Sequence, residues 1–468
     1  MNLTRRRALL GTTAVAVAAG TGVTWRQHRL DREPPSPPLV DSSQHLLWRN
    51  WSGIQSAYPA QRLGPRSEEE VLAAVRFAAA PVRPVGAGHS FTPLIPTDGT
   101  LLSLDGLTGI VSHDAASCRA NIWGGTRLEE LGPALSALGQ CMPNLPDINK
   151  QSLAGALATA THGSGALSPA LHARVTAFRL ATPAAGILDC SRDQNSDVFD
   201  AARVGLGAFG VMTQVTLQNV PAERLYKRVE LRPTPEVLEA WPHIRDTHDA
   251  AELFVLPFTG MSAVVTHDKT TLPVRSLGTS RDNEVLLDLK RLRDWAGFWP
   301  GLRRHLAQWA MAGQQPEESV EESWKLLSNE RDVRFNEMEY HLPIDEQSAA
   351  LRAVLEVIET NRHDVFFPIE VRSVAGDDAW LSPFYERDCG SLALHAYYKD
   401  DYRFLFDLIE PILRRHGGRP HWGKLHSLSS RELAPLYPRW SQALEIRATL
   451  DPDGRLLNPY LEGLFGRG

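Results

Sequence analysis

Three short stretches of this 468-residue chain concentrate side chains able to do chemistry. The first, "VGAGHSF" (85–91), sets His89 directly after Gly86, Ala87 and Gly88, with Ser90 behind it. The second, "GALATATHGSG" (155–165), places Thr159, Thr161, His162 and Ser164 among Gly155 and Gly163. Glycines let backbone amides approach a ligand closely, and consecutive amides form a concave anion site. Alone, each loop reads as a tight turn and His89 as a packed core histidine. Together, and with their hydroxyls, they point to a dinucleotide whose pyrophosphate needs no lysine cluster. The third stretch is "FFPIEVR" (366–372). Strand alternation puts Phe367, Ile369 and Val371 on one face and Glu370 and Arg372 on the other. An acid–base pair opposite an apolar face belongs either to a surface strand or to one lining a polar cavity.

These residues need a frame of helices and strands. Ser67 and Glu70 have capping-box spacing, so a helix starts there. "VRPVG" reads as a short buried strand and residues 101–104 as another strand. Thr126 and Glu129 repeat the capping spacing before a helix with Leu128, Leu131, Leu135 and Leu138 on one face. "VTAFRLAT" and "VMTQVTLQNV" are later strands, and the whole predicts an α+β domain over 44–221. Beyond Pro221, Trp-rich helical segments at 286–312 alternate with the strands "ELFVLPF", "VFFPIEVRSV" and "SLALHAYYK", which predicts a second domain over 222–428. Residues 429–468 end in "DPDGRLLNPYLEGLFG", too short to stand alone, and are expected to pack back on the first domain. "GLGAFG" (205–210) satisfies the dinucleotide fingerprint, but it follows a helix and leads into a strand. That order reverses the one the motif requires, which argues against a Rossmann nicotinamide site.

The composition is that of a soluble globular protein: 43% hydrophobic, 22% charged, net charge −6. Nothing in it favours nucleic acid. The four cysteines (Cys118, Cys141, Cys190, Cys389) are scattered, so neither a disulfide framework nor a metal site is expected. Residues 1–30 differ: consecutive arginines, then small and apolar residues, then charge. This suits a signal segment, and the arginine pair resembles the twin-arginine type. The expectation is export, with the segment either cleaved or kept as a membrane tether. The Pro-rich 31–43 reads as an extended linker.

Taken in order, "NWSG", "RPVGAGHSF", "NLPDINKQSLAGALATATHGSG", "AARVGLGAFGVMTQVTL", "FPIEVR", "RPHWGKLH" and "LDPDGRLLNPYL" resemble the sugar-1,4-lactone oxidases of the D-arabinono-1,4-lactone and L-gulono-1,4-lactone oxidase type, within the vanillyl-alcohol-oxidase superfamily of flavoproteins. The resemblance runs from about Asn50 to the C-terminus and is weakest at 235–332. It implies a two-domain fold, a PCMH-type FAD-binding domain plus a substrate (cap) domain. It implies FAD, covalently bound through His89 and contacted by Gly86, Ala87, Gly88, Ser90, Gly155, Thr159, His162, Gly163, Ser164 and Val211, with Ser152 on flavin or substrate.

The resemblance further places Glu370 and Arg372 against the substrate and Lys424 beside the flavin, where it would stabilise incoming negative charge. His421 would orient substrate or support the wall, and His395 stands between cavity residue and packed strand histidine. Gly124 occupies a place where relatives that exclude oxygen tend to carry alanine, so it is expected to gate O2. The implied reaction is oxidation of a secondary alcohol of an aldono-1,4-lactone, with hydride passing to flavin N5 and O2 becoming H2O2. An alditol oxidase, or a lactone dehydrogenase using a cytochrome or quinone, are the alternatives.

Overall fold

A computed structural model describes residues 32–278 and 282–466. The expected signal segment at 1–30 lies outside the described residues.

The N-terminal part is built on two small sheets. Strands β1 (Gln61–Leu63), β2 (Val82–Val85) and β3 (Thr100–Ser103) form a parallel sheet in the order β1-β3-β2, with helix α1 (Glu68–Phe77) between β1 and β2. Ser67 caps α1, its hydroxyl accepting from the Glu70 amide at 3.2 Å. Strands β4 (Ile110–Asp114) and β5 (Arg119–Trp123) continue the chain, followed by helices α2 (Leu128–Ser136) and α3 (Leu153–Ala158) and by β6 (Gly165–Pro169). Next come β7 (Val175–Thr182), β8 (Gly186–Ser191), helix α4 (Ser196–Ala202) and β9 (Val211–Gln218). The antiparallel sheet they form has the order β8-β7-β9-β5-β4.

The cap expected at Thr126 is not formed. Its hydroxyl donates to the Trp123 carbonyl at 2.7 Å, and the helix begins one residue later. The carbonyls of Gln151 and Asn149 accept from the first amides of α2, Leu128 and Glu129, at 3.0 and 2.9 Å. A neighbouring loop thus does the work of a capping side chain. Leu128, Leu131 and Leu135 are buried, whereas Leu138 lies past the helix end.

The C-terminal part is one large sheet. Its strands are β10 (Arg224–Pro233), β11 (Ala250–Leu256), β12 (Met261–Thr270), β13 (Glu317–Glu322), β14 (Phe335–Pro343), β15 (Ile369–Ala375), β16 (Cys389–Tyr397) and the short β17 (Arg419–Pro420). The order is β13-β10-β12-β11-β15-β16-β14-β17. Segment β6, from the N-terminal part, adds to this sheet in parallel with β15. Helices α5 (Thr234–Thr247) and α8 (Gln347–Asn361) contribute Trp241, Leu351 and Val354 to the core, while α6 (Asp282–Ala296) and α7 (Pro300–Met311) connect β12 to β13.

The C-terminal segment returns to the N-terminal part. The Val82 amide donates to the Arg455 carbonyl at 2.8 Å, and the Asn458 side chain donates to the carbonyls of Pro93 and Pro96. Leu456 shares a core with Val71, Val75, Val82 and Leu102.

Candidate active site

A cavity of about 1520 Å³ runs between the two parts of the molecule. One end is walled by the glycine-rich loops. Gly86, Ala87, Gly88, His89, Ser90, Ser152, Gly155, Thr159, His162 and Val211 all line it. The other end is walled by the large sheet, with Glu370 and Arg372 of β15, His395 of β16, Glu337 and Glu339 of β14 and Glu252 of β11. His421 and Lys424 line it from the loop after β17.

The loop end suits a flat, phosphate-bearing ligand. Gly88 has a φ of +68°, which a side chain would strain. A Cβ on Gly86 would collide with the Ser152 hydroxyl, and one on Gly155 would come within 3.0 Å of it. The wall is therefore bare backbone where a dinucleotide would lie. The 205–210 loop, rejected as a Rossmann fingerprint, joins α4 to β9 in the order read from the sequence, and it too lines the cavity. Buried Arg83 holds it, donating to the carbonyls of Leu206 and Gly207 at 2.7 and 2.9 Å.

His89 stacks on Trp51 with ring centroids 5.1 Å apart. Burial, aided by the charges of Lys424, Arg127 and Lys150, pushes its pKa down to about 4. The imidazole is neutral at physiological pH, so one ring nitrogen keeps its lone pair.

Alternation along β15 gives the other wall its character. Ile369 and Val371 are buried in the core, whereas Glu370 and Arg372 line the cavity. The two side chains are in direct contact, and Arg372 Nε also lies 3.5 Å from Glu252. Burial pushes the Glu370 carboxyl up to about 8 despite the Arg372 cation, and Asp147, Glu252 and Glu337 add to the rise. Glu252, Glu370 and Asp147 hold Arg372 above its ordinary range against the cost of burial. His395 Nε2 stands 3.9 Å from Glu370 and 3.7 Å from Glu337, which places it at the cavity, although its Nδ1 also faces the Pro368 carbonyl.

Lys424 pairs with Glu337 and sits 5.3 Å from the centre of the Phe91 ring. His421 Nδ1 accepts from the Gly423 amide at 3.0 Å, so its Nε2 carries the proton, and burial pushes its pKa down to about 3. His162 has both ring nitrogens on oxygens, Glu339 Oε1 at 2.9 Å and the Gly163 carbonyl at 2.8 Å. Among the described residues, His162, Glu339 and His341 bring three potential metal ligands within 4.8 Å, but His162 and Glu339 satisfy one another there.

Three expected positions do not line the cavity. Gly163 packs on the Leu145 carbonyl, where a Cβ would come within 2.6 Å. The Ser164 hydroxyl donates to the Ala251 carbonyl at 2.5 Å and so binds the loop to β11. Gly124 faces strand β9, and a Cβ there would collide with the Met212 carbonyl. It also lies beside the Ala154 side chain, and Ala154 and Gly125 both line the cavity.

Glu252, Glu337, Glu339, Asp147 and Trp51 escaped the reading of the sequence. A signal existed for two of them. "FNEMEYHLP" alternates Glu337, Glu339 and His341 with the fully buried Met338, Tyr340 and Leu342, the same pattern that marked Glu370 and Arg372.

Residues 59–191 match the family model for an FAD binding domain, and 215–464 match that for D-arabinono-1,4-lactone oxidase. The chain is 35% identical over 432 residues to an L-gulono-1,4-lactone dehydrogenase of Mycobacterium tuberculosis, covering 90% of this chain and 99% of that one. It is 30% identical over 433 residues to an L-gulonolactone oxidase of Scyliorhinus torazame (89% and 98% covered). An alditol oxidase of Streptomyces is 28% identical over 431 residues (89% and 98%). The fold is similar to that of cholesterol oxidase from B. sterolicum, with a TM-score of 0.73, 15% identity, and 92% and 100% of the two chains covered. Cavity, glycine cradle and family matches agree: the chain belongs to the D-arabinono-1,4-lactone oxidase family and is an FAD-dependent oxidoreductase.

Proposed function

We propose that the protein oxidises a secondary alcohol of an aldono-1,4-lactone, with O2 as electron acceptor and H2O2 as product. The observation that carries this reading is the buried Glu370–Arg372 pair facing the glycine cradle across one cavity. FAD, when bound, accepts a hydride from the carbinol carbon. The cradle residues would hold it, with Lys424 supplying the positive charge that favours electron-rich flavin. Arg372 is a fixed cation able to orient the substrate oxygens. Glu370, protonated below about pH 8, can donate a hydrogen bond to the lactone and, once ionised, accept the hydroxyl proton. Neutral His421 offers Nε2–H as a further donor.

His89 is proposed to carry the flavin covalently; its neutral, half-buried imidazole has the lone pair such a bond needs. Export by the twin-arginine route, with the N-terminus cleaved or kept as a tether, is proposed from Arg5, Arg6 and the apolar run behind them. A lactone dehydrogenase passing electrons to a cytochrome or quinone is the second reading. It is favoured by the name of the M. tuberculosis relative. An alditol is the alternative substrate, as the Streptomyces relative's name suggests. Anaerobic flavin bleaching across lactones, alditols and aldoses, followed by a peroxide assay in air, tests all three. Bleaching by alditols alone would replace the lactone, and absence of peroxide would favour the dehydrogenase.

A further inference from the structure

The turn at 421–425 is fastened on two sides. Toward the large sheet, the amides of His421 and Leu425 donate to the Glu339 and Glu337 carbonyls of β14 at 3.0 and 2.8 Å. Toward the first glycine-rich loop, the Phe91 amide donates to the Gly423 carbonyl at 2.7 Å, and the Thr92 hydroxyl to the Trp422 carbonyl at 2.8 Å. Trp422 is fully buried, and its indole N–H donates to the Leu381 carbonyl at 2.7 Å. Lys424 therefore leaves a well-tied backbone at the seam between cradle and substrate wall. Its four-carbon stem is flexible all the same, so where the ammonium stands depends on what holds it.

Two groups hold it. The ammonium lies over the Phe91 ring and is in direct contact with one carboxylate oxygen of Glu337. Glu337 is buried, and its other oxygen stands 3.7 Å from His395 Nε2. A buried carboxylate needs a charged partner, and Lys424 supplies it. Charges in this wall act across the cavity, as expected where water is scarce. Burial lowers the pKa of His89, His395 and His421, and the Lys424 cation adds to each shift. Burial likewise raises that of Glu370, and Glu337 adds to the rise.

Holding an ammonium does not require a negative charge, because an amide oxygen at the same place would accept the same hydrogen bond. A carboxylate does something more. Its charge opposes the field of the cation, so the cavity meets a paired ammonium in place of a full positive charge.

We propose that Glu337 is a positioning residue that acts through Lys424: it fixes the ammonium at the seam and offsets part of the charge that bound FAD experiences. The proposal rests on the reading above that Lys424 favours electron-rich flavin. Glu337 thereby sets the enzyme's electron affinity below the value Lys424 alone would give.

The test is anaerobic equilibration of the full flavin-loaded chain with a reference dye of known potential, each variant compared at equal flavin content. Glu337→Gln keeps an acceptor for the ammonium and removes the charge, so the equilibrium should move toward reduced flavin by roughly tenfold or more. Glu337→Asp, which keeps the charge, should stay close to the parent. Lys424→Met should move the equilibrium the other way. Adding Glu337→Gln to Lys424→Met should then change little, because a buried carboxylate without its cation takes up a proton and is already neutral. An unmoved or opposite equilibrium in Glu337→Gln, with Lys424→Met shifted as expected, would overturn the proposal and leave the role of Lys424 standing. An equal effect of Glu337→Gln in both backgrounds would also overturn it, since the carboxylate would then act without Lys424. If Lys424→Met leaves the equilibrium unchanged, the reading of Lys424 fails and the proposal falls with it.

Discussion

The Ser152 hydroxyl occupies the space that a Cβ on Gly86 would need, so the first glycine-rich loop abuts the start of the helix that leads into the second. Gly86→Ala should yield protein with little or no flavin, since the new methyl group must push Ser152 or its own loop aside. Gly86→Ala/Ser152→Gly should recover most of the flavin, because it removes the obstructing oxygen. The ratio of flavin to protein absorbance in the three proteins is the measurement. Equal loss in single and double variants would place the clash elsewhere.

Glu370 should make flavin reduction depend on pH. Its carboxyl titrates near pH 8 in the folded enzyme against about 4.3 in an unfolded chain, so the ionised form that accepts a proton accumulates only as pH rises through 8. Stopped-flow reduction rates should climb over that range and level off above it. Glu370→Gln should flatten the profile and slow reduction ~10²–10⁴-fold. The raised pKa also sets the sign for stability. The folded state keeps a proton between pH 4.3 and 8 that the unfolded state loses, so this group's contribution declines as pH rises through that window.

If His89 carries the flavin, the denatured band on a gel should retain yellow fluorescence, and His89→Ala should lose it. The variant should still bind FAD through the remaining cradle. Fluorescence running entirely with free flavin in the parent would exclude the bond.

Gly124→Ala should lower stability and leave oxygen reactivity unaltered. Its methyl group meets the Met212 carbonyl, an overpacked contact that typically costs about 1–3 kcal/mol. A fall in melting temperature with unchanged reoxidation per bound flavin is expected. Selective slowing of reoxidation would restore the gate.

Replacing Arg5 and Arg6 by Lys should leave flavin-loaded enzyme inside the cell, because the twin-arginine route transports folded proteins. Fractionation with a peroxide or flavin assay reads the outcome, and normal export of the double variant would rule out this route.

The residues most legible in the sequence were those whose chemistry follows from local pattern. Glycine spacing marked the cradle, and period-two alternation put Glu370 and Arg372 opposite Ile369. What stayed hidden depends on contacts distant in sequence. Asp147 acquires its role from Arg331, 2.7 Å away, and Thr126 loses its cap to the carbonyls of a loop more than twenty residues on. Gly124 shows the same limit: the Met212 carbonyl that a Cβ there would meet lies on a strand more than eighty residues on. Ser164 does too, because its hydroxyl turned from the cavity toward Ala251.

Strand β6 belongs in sequence to the cofactor part yet pairs within the sheet that carries Glu370 and Arg372, while Leu456 and Asn458 close the core beneath the first glycine loop. The polypeptide is thus laced across the cleft instead of being hinged over it. Neither half is a detachable cassette. Exchanging the substrate half with that of a relative, to graft a new specificity, would cut a parallel strand pair. Specificity in this scaffold is better redesigned in place, at the cavity faces of Glu252, Glu337 and His395, than by swapping segments.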